Sequence, residues 1–121
     1  MLMTVALQTP PGEALIDITG QVRAALAEAG VESGVCVLFV PHTTAAITLN
    51  SALDPATAQD ILADLQRLVP KRVDFYHQYD TPADAAGHIK AALIGHTTTL
   101  IIAGGNLLMG SSQSILFCEF D

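Results

Sequence analysis

From Ala91 to Cys118 the chain carries no Asp, Glu, Lys or Arg, and this run restricts the fold more than any other feature. A segment so apolar must leave water, either across a bilayer or inside a packed core. A membrane-crossing helix needs about 20 continuous apolar residues, and the run is interrupted too often to supply them. His96 with Thr97 to Thr99, then Gly104-Gly105-Asn106, then Ser111-Ser112-Gln113-Ser114 cut it into apolar pieces of strand length. Buried strands are expected, some at a subunit interface, and no membrane partner.

At 121 residues the chain can enclose one hydrophobic core, so residues 1–121 are expected to form a single domain. Half of the residues are hydrophobic and 14% are charged, against roughly 25% charged in an ordinary soluble domain. Part of the surface is therefore expected to be covered by protein. The net charge is −7, and the five basic residues Arg23, Arg67, Lys71, Arg72 and Lys90 form no stripe, which argues against nucleic acid as a partner. Met1 to Leu7 has neither the basic start nor the long apolar stretch of a signal peptide, so a cytoplasmic location is expected. Cys36 and Cys118 sit in apolar runs and read as small buried hydrophobes of a reducing compartment rather than as a disulfide.

The punctuation of the chain predicts its elements. Met3 to Gln8 and Ala14 to Ile18 read as strands joined by a turn at Thr9-Pro10-Pro11-Gly12. Thr19 is the expected cap of a helix over Gln21 to Ala29, which Gly30 stops. Val35 to Val40 is the pattern of a strand covered on both faces, ended by Pro41, with a second strand over Ala45 to Leu49. Asp54-Pro55 opens a helix that Pro70 stops, and Thr81-Pro82-Ala83-Asp84 opens another that runs to Ile94. Thr97 to Ala103, Asn106 to Met109 and Ser114 to Asp121 read as strands. Three helices among about seven short strands, many in adjacent pairs, predict an α+β fold with a mixed or mostly antiparallel sheet and helices packed on it.

Three histidines stand out as candidates for chemistry. His42, with Thr43 and Thr44, follows the point where the buried strand ends at Pro41. A core histidine with threonines that satisfy the bend explains the same residues. His77 precedes a loop rich in Asp, Thr and Pro, where a merely solvated side chain is the plainer reading. His88 lies four residues after Asp84 on one helix face, so the carboxylate can orient the imidazole. An ordinary surface pair fits that spacing too. Three histidines complete a zinc-type set, but their spacing matches no short metal motif. Gly104-Gly105-Asn106 and Met109-Gly110-Ser111-Ser112-Gln113 match no phosphate-loop pattern and open no helix.

Six segments in order make the chain resemble the YjbQ-like family, some of whose members are called secondary thiamine-phosphate synthases. They are Pro41-His42-Thr43-Thr44-Ala45-Ala46-Ile47-Thr48-Leu49-Asn50, Asp54-Pro55, Val69-Pro70 with Tyr76-His77, His88 to Gly95, Leu107-Leu108-Met109-Gly110 with Gln113, and Phe117 to Asp121. The resemblance implies a two-layer α/β sandwich with a mixed sheet, and a homotrimer with sites near subunit boundaries. It implies a pocket lined by His42, Thr43, Asn50, Asp54, His77, His88 and Gln113. His42, His77 and His88 would hold a divalent metal, Zn²⁺ or Mg²⁺, and Lys90 would neutralise the charge of a small phosphorylated substrate. The implied activity joins a pyrimidine diphosphate to a thiazole phosphate; a noncatalytic trimeric metal- or anion-binding module is the alternative. The chain departs from the family pattern at Ser51, where an acid is usual, and at Ser112, where a tryptophan is usual. It also lacks the Glu-Gly-Asn stretch between the two later histidines.

Overall fold

Helices begin here where a side chain can satisfy their free N–H groups, and those positions order the rest of the chain. The computed structural model describes residues 1–121. Helix α1(Thr19–Ala29) starts on Asp17, whose carboxylate accepts from the Thr19 backbone N–H at 3.0 Å and from its hydroxyl at 2.6 Å. Thr19, the expected cap, is thus the first helical residue. Its hydroxyl also accepts the Ile115 N–H at 2.8 Å, which ties the helix to the sheet. Gly30 closes α1 at φ 67°, a left-handed conformation that glycine adopts without a Cβ clash. Helix α2(Pro55–Leu68) is capped by the Asp54 carboxylate, and α3(Pro82–Ile94) by the Thr81 hydroxyl, with proline in the first turn of each.

The strands are β1(Ala14–Asp17), β2(Gly34–Phe39), β3(Ala45–Asn50), β4(Thr97–Ala103), β5(Asn106–Leu107) and β6(Ser114–Glu119). They form two three-stranded sheets in the orders β1-β6-β3 and β2-β4-β5, and every ladder is antiparallel. The register pairs Ile47 with Phe117 in one sheet and Val37 with Thr99 in the other. The sheets are stitched together where the Val40 N–H donates to the His96 carbonyl at 2.8 Å and the Ile47 N–H to the Gly95 carbonyl at 3.1 Å. The fold is α+β, as the spacing of its elements predicts.

Alternation along the strands assigns the helices to faces. Ala45, Ile47 and Ile115 pack with Val22 and Leu26 of α1, whereas Ala46 and Cys118, on the opposite face, pack with Leu65 of α2 and Ala91 of α3. The β1-β6-β3 sheet is therefore covered on both sides. The β2-β4-β5 sheet turns Leu100, Ile102 and Leu107 toward α1 but leaves Val35, Val37, Phe39 and Ile101 exposed on its outer face. The expectation that Val35 to Val40 is covered on both faces is corrected: within one chain only one face is. Met3 to Gln8 forms no strand, since it pairs with none of the six, and of this stretch only Leu7 packs on the core. Both cysteines are unpaired, and burial pushes the Cys118 thiol up to about 12. No helix is long and apolar enough to cross a membrane.

Candidate functional site

The site is built by the start of α3 and the loop that leads into it. Thr81 and Pro82 fix the first turn, so Asp84 and His88 fall one above the other on the same face. The preceding loop cannot drift, because Val69 and Phe75 are buried against Ala85 and Ala86 of α3. Gln78 reinforces it by donating its side-chain amide to the Val73 and Phe75 carbonyls at 3.2 and 3.1 Å. The result places His77 beside the helix, with its Nε2 3.0 Å from Asp84 Oδ2. The Nε2 of His88 lies 3.3 Å from that same oxygen, and the two rings stand edge to face with centroids 5.0 Å apart. Asp84 is nearly enclosed, its side chain 12% exposed, whereas His77 and His88 remain 45% and 38% exposed.

Two contacts hold α3 at the depth this requires. Gly87 lies so close to the C-terminal strand end that an added Cβ would stand 2.8 Å from the Phe120 carbonyl oxygen and 3.3 Å from Thr44 Cβ. Lys90, wholly buried, pairs with Glu13 before β1, and Glu13 in turn accepts a hydrogen bond from Gln66 of α2 at 2.8 Å. Burial alone pushes the Glu13 carboxyl up, but the hydrogen bonds from Lys90 and Gln66 and the charges of Lys90 and Lys71 together hold it below its ordinary value.

His77, Asp84 and His88 each offer one ligand atom, all within 4.8 Å of one another. Ligands around a tetrahedral Zn²⁺, with bonds of about 2.1 Å, are separated by about 3.4 Å, a little more than the 3.0 and 3.3 Å from Asp84 Oδ2. The donor set suits a transition ion; Mg²⁺ prefers oxygen ligands throughout. A hollow of about 450 Å³ opens beside the group between Arg72, Tyr76, His88 and Ile89, and a smaller one of about 180 Å³ shares Arg72, Phe75 and His77 with it.

Of the residues singled out in the sequence, the fold brings together His77 and His88, and it completes the group with Asp84. His42 and Thr43 are exposed in the loop before β3 and belong to no ligand group within the chain. Asn50 accepts the Ser51 N–H at 2.8 Å, Asp54 caps α2, and Gln113 accepts the Gly110 N–H at 2.8 Å. Lys90 is spent on Glu13, so its ammonium is not free to meet a phosphate. The sequence shows Asp84 only as a group able to orient His88; its oxygen shared with His77 depends on how the loop packs. Arg72, Phe75 and Gly87 carry no sequence signal of their roles.

The profile of the UPF0047 protein YjbQ-like family matches residues 3–121. A UPF0047 protein of Methanocaldococcus jannaschii is 40% identical over all of this chain and 86% of its own length. The UPF0047 protein YugU of Bacillus subtilis is 37% identical over all of this chain and 90% of its own. A crystal structure of a YjbQ/UPF0047 family protein from Clostridium acetobutylicum superposes with a TM-score of 0.86 at 42% identity, covering 95% of this chain and 87% of that one. A hypothetical protein from Aeropyrum pernix superposes at 0.88 with 33% identity, over 95% of this chain and 84% of its own. Joined to a fold that agrees throughout, these matches place the chain in the YjbQ-like UPF0047 family of uncharacterised proteins.

Proposed function

We propose that the chain binds a divalent transition ion, Zn²⁺ by preference, through His77, Asp84 and His88, and uses the open side of that site to engage a small phosphorylated ligand. One observation carries the reading: a nearly buried carboxylate oxygen lies within 3.0 and 3.3 Å of two half-exposed imidazole Nε2 atoms. Three protein ligands leave a further position free, as in zinc sites that act on a ligand rather than merely hold a fold together. The hollow of about 450 Å³ beside them falls within the roughly 300–1,000 Å³ usual for small-molecule sites.

The activity that fits the resemblance is the joining of a pyrimidine diphosphate to a thiazole phosphate. The thiazole nitrogen forms a bond to the pyrimidine methylene carbon while the carbon–oxygen bond breaks, and pyrophosphate leaves with the electron pair. A bound ion would supply charge stabilisation for that leaving group. The residues of this chain orient: Asp84 gathers both imidazoles to one point, where all three would hold the ion, and Phe75, Ala85 and Ile89 form the apolar wall of the hollow. A noncatalytic metal- or anion-binding module is the second reading. It is favoured by Asn50, Asp54, Lys90 and Gln113, whose polar groups are engaged within the fold instead of lining the hollow. Incubating the purified protein with both precursors and Zn²⁺ or Mg²⁺ separates the two. Product that disappears in His88→Ala supports the synthase; stoichiometric zinc without turnover supports the module.

Self-association belongs to the same reading. The exposed apolar ladder of Val35, Val37, Phe39 and Ile101 supports self-association, for which the family resemblance suggests a homotrimer, and a monomer by light scattering would remove that part.

A further inference from the structure

The chain has five permanent cations, and two of them are paired away from the site. Lys90 is buried on Glu13, and Arg67 pairs with Asp64 along α2. Arg72 is different, because it is the one Lys or Arg that lines either hollow beside His77, and it lines both. Its guanidinium lies 4.1 Å from the centroid of the Phe75 ring, and its Nε is 2.9 Å from Asp74 Oδ1. Phe75 is itself packed on Ala85 and Ala86, so the platform under the guanidinium is fixed to the helix that carries Asp84 and His88. The ion pair with Asp74 runs through Nε, and no side-chain hydrogen bond within the chain uses either Nη group. A planar fork held by stacking, with its terminal donors unspent, is suited to take two oxygens of one oxyanion.

We propose that Arg72 is the oxyanion anchor of this hollow: its Nη groups grip a phosphate or carboxylate whose organic body lies against Tyr76 and Ile89. The assignment deepens the metal-site reading and rests on it for the position of the ligand's reacting end. It also names the chemical class the site selects, an anionic small molecule with a flat or apolar body, because the hollow otherwise offers Phe75, Tyr76, Ala85 and Ile89. A surface ion pair with Asp74 and nothing more is the competing account, and such a pair contributes little.

The test titrates phenyl phosphate and, separately, benzoate into wild type, Arg72→Ala and Arg72→Lys by calorimetry, with each protein both metal-free and loaded with one equivalent of Zn²⁺. Zinc affinity and the urea midpoint are measured on the same samples. The expected result is zinc affinity and folding unchanged in Arg72→Ala, with affinity for the preferred probe reduced roughly tenfold to a hundredfold and partly restored by lysine. Whichever probe binds more tightly identifies the oxyanion. Equal probe affinity in wild type and Arg72→Ala, or no binding of either probe to wild type, overturns the anchor. If zinc fails to bind but metal-free wild type holds a probe that Arg72→Ala loses, the anchor stands and the metal reading falls.

Discussion

Helix α3 carries the two buried charged residues of the chain, Asp84 and Lys90, and they are treated in opposite ways. Lys90 is fully enclosed and meets Glu13, which is held in turn by Gln66, so the charge is balanced inside the fold. Asp84 instead meets His77 and His88, whose rings still face solvent and an open hollow. Desolvation penalises both charges. The difference teaches that a buried charge closed off by the fold serves stability, whereas one whose partners keep coordinating capacity toward solvent serves binding.

The largest effect that can break this comparison is Glu13→Gln, which leaves the Lys90 ammonium buried without a counter-charge. Urea unfolding should show a loss of about 3–5 kcal/mol, while Asp84→Asn should change stability by about 1 kcal/mol or less. Equal costs would erase the distinction. The same pair predicts an acid response. The folded-state Glu13 carboxyl lies below its ordinary value of 4.5, so its contribution is complete above that pH and drains away as pH falls through the depressed folded value. Stability measured against pH should fall less steeply on the acid side in Glu13→Gln than in wild type.

Gly87→Ala comes next. Its Cβ would meet the Phe120 carbonyl oxygen, a backbone atom that cannot swing aside, so α3 must lift. A loss of about 1–3 kcal/mol is expected, accompanied by weaker zinc binding because Asp84 and His88 ride on the displaced helix. Smaller and more discriminating are the two caps. Thr81→Ala and Asp54→Ala should each cost about 1 kcal/mol, yet only Thr81→Ala should lower zinc affinity, since Thr81 anchors the turn that carries Asp84. Zinc titrations showing equal losses would return Asp54 to the site.

Local punctuation made much of this fold legible in the sequence. Asp54-Pro55 and Thr81-Pro82 open helices where read, and Gly30 stops one, because capping depends on neighbours a few residues away. Met3 to Gln8 misleads because an apolar run needs a ladder partner as well as a pattern, and no strand pairs with it. The site is legible in half. His88 and Asp84 follow from helical spacing, but the approach of His77 depends on Phe75 burying beneath α3, a contact that spacing cannot show. Lys90 reads as a free cation until folding encloses it beside Glu13, a residue distant in the chain.

Zinc content per chain, measured after equilibration with the ion and removal of excess, tests the central claim most directly. Wild type should retain one ion per chain, and Asp84→Asn and His88→Ala, still folded, should retain none. An empty wild type, or zinc kept by both variants and lost only in His42→Ala, would contradict the site described around Asp84.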